Sequence, residues 1–226
     1  MTSRRALAPL RASRVFVVDD HPIVRQGLAS LIACAPDLTV CGEAEAAGSA
    51  LQAIETLQPD ILIVDISLNG PTGMDLLKSV RAKVPNLPVL ILSMHDESVY
   101  AERALRAGAN GYIMKQAATE EMLTAIRQIL DGEIYVSDRL ADKILRQFVR
   151  GSKLPDRTPV DDLTDRELEV FRLIGEGHGT RQIAEELHLS IKTVESYQSH
   201  IKEKMALRNG RELVQHAIEW TIGNQT

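Results

Sequence analysis

The sequence predicts a doubly wound α/β domain with a five-stranded parallel sheet, followed by a small all-α domain containing a helix-turn-helix. Three observations predict it. Short apolar, β-rich runs recur with helical stretches between them, the pattern of parallel strands buried on both faces. Polar residues stand directly after those runs: Asp19 and Asp20, then Asp65, Ser93 and Lys115. Beyond a proline-containing stretch at 151–160, only helical patterning continues.

Each element follows from its residues. Val15-Phe16-Val17-Val18 is the first strand, and a helix begins after Pro22 with Ile23, Leu28, Leu31 and Ile32 on one face. A strand at 38–42 leads to a helix at 48–57, then to the strand Ile61-Leu62-Ile63-Val64. A helix at 73–83 precedes Val89-Leu90-Ile91-Leu92, and a helix at 98–107 precedes Gly111-Tyr112-Ile113-Met114. Thr119 is expected to cap the domain's last helix, with Glu120 and Glu121 complementing the helix dipole. Residues 138–150 read as a short amphipathic helix carrying Leu140, Ile144, Leu145 and Phe148. Residues 151–160, with Pro155 and Pro159, read as a linker.

The second domain opens with Thr164 and Glu167 at capping-box spacing, before a helix with Leu168, Val170, Phe171 and Ile174. Gly175 and Gly177 stop it. Thr180 is expected to cap a short helix to Leu187, with Ile183, Ala184 and Leu187 facing the core. The turn His188-Leu189-Ser190 leads into a helix at 191–207. Asn209 and Glu212 suggest a further capping box for the last helix, to about residue 222.

Composition bounds the function classes. At 226 residues the chain has length for two cores, and 44% hydrophobic with 25% charged residues is globular composition. No apolar stretch approaches the roughly 18 residues that span a bilayer. Residues 1–13 carry Arg4, Arg5 and Arg11, but Pro9 and a short apolar run argue against a signal sequence; a disordered basic tail is expected. Cys34 and Cys41 are expected as buried thiols rather than a disulfide, and the protein as cytoplasmic. The net charge of −5 divides into +3 for 1–13, −6 for 14–131, +2 for 132–160 and −4 for 161–226. Within 191–211, five basic residues (Lys192, Lys202, Lys204, Arg208, Arg211) face two acidic ones (Glu195, Glu203). That local excess suits nucleic acid.

In a parallel sheet the carboxyl ends of the strands line one crevice, where ligands bind. Asp19, Asp20, Asp65, Ser93 and Lys115 therefore meet at one point. Clustered carboxylates repel one another and favour a cation. Mg²⁺ takes one or two carboxylates with phosphate oxygens and water. Asp20 and Asp65 suit direct ligation, with Asp19 acting through water. A carboxylate is also a nucleophile toward phosphorus. Lys115 then binds phosphoryl oxygens, and the Ser93 hydroxyl donates to one.

Residues 14–131 resemble the receiver domains of two-component response regulators, a flavodoxin-like fold. The resemblance is carried by Val17-Val18-Asp19-Asp20-His21-Pro22, Asp65-Ile66-Ser67-Leu68, Gly70, Gly73, Ala107-Gly108-Ala109 and Gly111-Tyr112-Ile113-Met114-Lys115. It implies Asp65 as phospho-acceptor, and Asp19, Asp20, Asp65 and the Ser67 carbonyl as the Mg²⁺ site. It also implies Ser93 as the switch hydroxyl, Tyr112 as the rotating aromatic and Lys115 as the phosphate-binding lysine. Asn69 stands where relatives often carry proline.

Two helices joined by a three-residue turn form a helix-turn-helix, whose second helix reads the major groove. Residues 163–224 resemble the LuxR-type DNA-binding domain through Leu163-Thr164-Asp165-Arg166-Glu167, Ile183-Ala184, Leu189-Ser190, Lys192-Thr193-Val194-Glu195 and Ile201-Lys202-Glu203-Lys204-Met205. Receiver plus this domain is the architecture of the NarL/FixJ family. The resemblance implies Glu195, Ser196 and Ser199 at base edges and Lys192, Thr193, Tyr197 and Lys202 at the DNA backbone. His188 and Ala206 stand where relatives commonly have glycine, Tyr197 replaces a common histidine, and Gly210 a usual arginine. Leu213, Val214, Ala217 and Ile218 are the expected seam of a homodimer.

The expected layout is a tail at 1–13, a receiver at 14–131, a linker with a short helix at 132–160 and a DNA-binding domain at 161–226. The expected protein is a phosphorylation-controlled regulator and no conventional enzyme. Its implied partners are a sensor histidine kinase, double-stranded promoter DNA, a second copy of itself and RNA polymerase. A haloacid-dehalogenase-like phosphohydrolase would need an Asp-x-Asp pattern where Asp19-Asp20-His21-Pro22 stands, and would leave the helix-turn-helix unexplained. A flavodoxin-like cofactor carrier would need a phosphate-cradling loop in place of acids. A phosphorylation-independent DNA-binding regulator is the remaining alternative.

Overall fold

The structure, a computed structural model, describes residues 11–94, 97–149 and 158–224. The chain divides into two compact units, residues 1–137 and 138–226. In the first, strands β1 (Ser13–Val18), β2 (Leu38–Ala44), β3 (Ile61–Asp65), β4 (Val89–Ser93) and β5 (Gly111–Met114) alternate with helices α1 (Pro22–Ala33), α2 (Ala47–Leu57), α3 (Gly73–Lys83), α4 (Glu97–Arg106) and α5 (Ala118–Leu130). The sheet is parallel, in the order β2-β1-β3-β4-β5. The order reverses between β1 and β3, so the crevice at their carboxyl ends is the expected ligand position.

Every residue of β3 and β4 is buried, which explains why these runs are continuously apolar rather than alternating. Val15, Val17, Ile61, Ile63, Leu90, Leu92 and Ile113 pack against Leu28 and Ile32 of α1 and Met122, Ala125, Ile126 and Ile129 of α5. The intervening Phe16, Leu62, Val64 and Ile91 are equally buried, on the opposite face. Ile23 departs from expectation: it is 78% exposed, because the helical arc that meets the sheet is set by Leu28 and Ile32. Cys34 is exposed rather than buried, and both cysteines are free.

Arg81 of α3 fastens the far ends of β4 and β5. It donates to the carbonyls of Gly108 and Leu87 and to Asn110 Oδ1, which also accepts from Val89 N–H. Thr119 does not cap α5. A turn after Lys115 runs straight into the helix, and Ala117 is the cap without a side-chain bond. Past α5 the chain stays on the sheet: Tyr112 N–H donates to the Tyr135 carbonyl, and Tyr135 N–H to that of Asn110. The first unit thus ends at Ser137, six residues beyond the expected boundary.

The second unit holds α6 (Asp138–Val149), a short 3₁₀ turn (Pro159–Asp162), α7 (Asp165–Gly175), α8 (Thr180–Glu186), α9 (Ile191–Lys204) and α10 (Gly210–Asn224). On α6 Leu140 is buried while Ile144 and Leu145 are exposed, and the Phe148 side chain lies outside the described residues. The Thr164–Glu167 capping box of α7 is present in both directions. Gly175 lets α10 approach α7: a Cβ there would lie 2.1 Å from Thr221 Oγ1 and 2.4 Å from the Ala217 carbonyl. Phe171 and Trp220 pack across the same contact, ring centroids 5.7 Å apart.

Three helix ends differ from the sequence reading. Gly179, not Thr180, precedes α8 as its cap, and the Thr180 hydroxyl instead accepts from Gln198 of α9. Helix α9 stops at Lys204, because Ala206 adopts the left-handed φ of 54°. Asn209 caps α10, but Glu212 accepts from Arg208 N–H, one residue earlier than a capping box places it.

Candidate functional site

The ends of β1, β3, β4 and β5 bring Asp19, Asp65, Ser93 and Lys115 together, as their positions after buried strands require. Asp19 is 0% and Asp65 1% exposed. Lys115 Nζ lies 2.7 Å from Asp19 Oδ2 and 2.9 Å from Asp65 Oδ2. The Lys115 N–H donates to the Ser93 carbonyl at 2.7 Å, which fixes the root of the lysine against β4. Tyr112 is buried on β5. Ser67 N–H donates to Asp65 Oδ1 at 3.2 Å.

Burial pushes the Asp65 carboxyl above its usual value, Asp19 adding like-charge repulsion; the Lys115 charge opposes this without reversing it. Burial alone would lower the Lys115 ammonium, but Asp65 and Asp19 overcome it and hold the ammonium above its usual value. Asp19 and Asp65 thus share this buried ammonium, and Asp20 lies beside them. Such a set of hard oxygen donors fits a divalent cation.

Two further side chains reach Asp20, and sequence reasoning gave neither a role. His21 Nδ1 lies 2.8 Å from Asp20 Oδ1 and 3.1 Å from Asp19 Oδ1. Asn69 Nδ2 donates to Asp20 Oδ2 at 2.5 Å. The signal for His21 was adjacency to the Asp pair; for Asn69 it was only the missing proline. Beneath the site, a Cβ on Gly73 would lie 2.0 Å from the Asp65 carbonyl, so only glycine lets α3 start there. Gly73 N–H donates to the Ile66 carbonyl, and the Thr72–Asp75 capping box fixes the same turn.

In the second unit, α8 and α9 form the helix-turn-helix. The turn passes through His188 at φ 53°, a left-handed position tolerated best by glycine. Val194 and Ile201 anchor α9 in the core, so Lys192, Glu195, Ser196 and Ser199 face outward, with Thr193, Tyr197 and Lys202 half-buried beside them. The Ser196 and Ser199 hydroxyls donate to the carbonyls of Lys192 and Glu195. Among the described residues no ion pair occupies the side chains of Lys192, Lys202, Arg208 or Arg211. Lys204 differs: it is held by Glu167 at 2.6 Å and the Asp162 carbonyl at 3.3 Å, so it does not belong to the free basic surface.

The expected α10 seam splits. Leu213 and Ala217 are buried in the domain core, facing α7 and its neighbours, and cannot meet a second copy. Val214 and Ile218 are 44% and 39% exposed, and line a shallow groove with Arg211, Gln215 and Glu219.

Comparison with known proteins agrees with this anatomy. Residues 15–127 match the response regulator receiver domain family, and residues 161–217 match the bacterial regulatory proteins of the luxR family. The oxygen regulatory protein NreC of Staphylococcus haemolyticus is 36% identical over 210 residues, 91% of this chain and 97% of its own. A LuxR-family two-component response regulator from Aurantimonas is 37% identical, with a TM-score of 0.57 over 61% of this chain and 99% of that one. RcsB of Salmonella enterica serovar Typhimurium, solved on promoter DNA with the phosphomimetic BeF3−, is 25% identical. Its TM-score is 0.59, over 92% of this chain and 98% of that one. No helix among the described residues is long and apolar enough to cross a membrane. The chain therefore belongs to the NarL/FixJ family of two-component response regulators, a receiver domain followed by a LuxR-type DNA-binding domain.

Proposed function

We propose that this protein is a phosphorylation-controlled transcription regulator in which Asp65 accepts a phosphoryl group from the phosphohistidine of a sensor kinase. The carrying observation is the buried Asp65 carboxylate, held 2.9 Å from Lys115 beside Asp19 and Asp20. An Asp65 carboxylate oxygen attacks phosphorus, the bond to the histidine nitrogen breaks, and the imidazole leaves with the electron pair. Asp19, Asp20, Asp65 and the Ser67 carbonyl would hold Mg²⁺, which when bound neutralises charge on the transferring phosphoryl oxygens. Lys115 releases one carboxylate to take a phosphoryl oxygen, and Ser93 donates to another. Tyr112 follows Ser93 inward, and the changed surface biases a two-state equilibrium. The receiver's own contribution to its phosphorylation and dephosphorylation is this positioning.

The output is DNA binding by α9. Lys192, Thr193, Tyr197 and Lys202 contact phosphates, while Glu195, Ser196 and Ser199 meet base edges. One short helix contacts few bases, so two copies read a two-fold site, meeting through Val214 and Ile218 of α10. RNA polymerase is the partner through which bound protein changes transcription. Intact mass with acetyl phosphate and Mg²⁺, beside an Asp65→Asn control, tests the acceptor. A gain of one phosphoryl group by the wild type alone supports the reading. Equal gain by the control, or no gain from either donor kinase or acetyl phosphate, overturns it.

A further inference from the structure

Each polar group of Asp19 is engaged. Its N–H donates to the Ala44 carbonyl at 3.2 Å, and its carboxylate meets Lys115 at Oδ2 and the His21 N–H at Oδ1. Its carbonyl accepts from Arg25 Nη1 at 2.6 Å. Arg25 stands in the first turn of α1 with 16% of its side chain exposed, and its Nε lies 3.4 Å from Glu43 Oε2. Glu43 belongs to β2, the strand at the sheet margin, and lies beside Val17 of β1. One guanidinium thus joins α1, the end of β1 and the end of β2.

The carbonyl that Arg25 grips belongs to the peptide linking Asp19 to Asp20. That unit is planar, so fixing its oxygen fixes the direction in which the chain leaves toward Asp20. The donor is charged, and charge-assisted hydrogen bonds of this kind are the strong ones. The rigid guanidinium fork holds the carbonyl and the Glu43 carboxylate at once, which a lysine point charge does not. We propose that Arg25, braced by Glu43, is a positioning residue for phosphoryl transfer to Asp65. It sets the Asp19–Asp20 peptide and, through it, the carboxylates around the acceptor, while touching no reacting atom. This role rests on the reading of Asp65 as the acceptor.

The test uses the full-length protein with acetyl phosphate and excess Mg²⁺, at a temperature where circular dichroism shows every variant folded. Intact mass gives labelling rates over a range of donor concentrations. Arg25→Met should lower the maximal rate about tenfold, with the half-saturating donor concentration held within about twofold. Arg25→Lys keeps the charge without the fork and should recover about threefold of that loss. Glu43→Gln should cost about threefold alone and nothing more in an Arg25→Met background, because Glu43 acts through Arg25. Hydrogen exchange gives a readout independent of labelling. In Arg25→Met the Asp19 and His21 amides should exchange about tenfold faster, with those of β3 unchanged. A wild-type maximal rate in Arg25→Met, costs of the two substitutions that multiply, or unchanged exchange at Asp19 and His21 overturns the role of Arg25 alone. A wild type labelled by neither acetyl phosphate nor a donor kinase overturns the acceptor reading, and this role with it.

Discussion

Glu167 and Lys204 are joined at 2.6 Å, tying the first turn of α7 to the last turn of α9. The same carboxylate accepts from Thr164 N–H and closes the capping box. One buried side chain therefore serves a helix start and the alignment of the second helix of the helix-turn-helix.

That relationship sets a pH dependence. Burial alone would raise Glu167, but the Lys204 and Thr164 hydrogen bonds outweigh it and hold the carboxyl below its ordinary 4.5. A depressed folded-state pKa contributes stability that is whole above 4.5 and disappears as pH falls through the lower value. In urea titrations at successive pH values, Glu167→Gln should lose about 1–2 kcal/mol at pH 7. The gap between variant and wild type should close as pH falls below 4.5 and through that lowered value.

Gly73→Ala should damage the receiver without touching its charges. The added Cβ, 2.0 Å from the Asp65 carbonyl, forces α3 away from the strand end. A destabilisation of about 1–3 kcal/mol is expected, and labelling by acetyl phosphate should slow by about 10²-fold if Asp65 moves an ångström. Gly48→Ala, with nothing within 4 Å in α2, should instead be neutral or stabilising by up to about 1 kcal/mol. Melting curves of the two variants separate the effects.

Ala206→Gly should raise stability. Ala206 sits at φ 54°, a conformation costing an alanine about 1–2 kcal/mol, against which glycine's greater unfolded-state entropy sets about 0.5–1. The net gain is about 0.5–1 kcal/mol, readable by denaturant titration.

On α9, Lys192→Ala should weaken binding to every DNA sequence alike and lower the salt slope by about one unit. Glu195→Ala should instead change discrimination at one base position by about 1–3 kcal/mol. Gel-shift titrations at several salt concentrations, on specific and random duplexes, measure both.

Val214→Asp should leave the fold intact and abolish two-copy binding to DNA, because its side chain faces the open groove. Leu213→Asp, one residue away but 3% exposed, should unfold the domain by burying an unpaired charge. Circular dichroism and sedimentation on DNA distinguish the two.

The fold was legible because buried parallel strands leave continuous apolar runs, and their ends announced Asp19, Asp65, Ser93 and Lys115. The Thr164–Glu167 capping box was legible because its partners are three residues apart. Its Lys204 partner was not, being 37 residues away. The same holds for Asn69 and Asp20, separated by 49. Which members of an apolar stripe face inward also escaped the sequence. Ile23 and Leu28, or Val214 and Leu213, differ only by rotation about the helix axis, which the neighbouring elements fix.

β5 stands at one margin of the sheet, where unpaired amides invite another chain. Tyr135 covers that margin by engaging Tyr112 and Asn110, so the strip that leaves the receiver is also its selvedge. A fragment cut at residue 131, on the cue of the α5 terminus, would carry a raw seam and stick to its own kind. One cut after Ser137 keeps the hem.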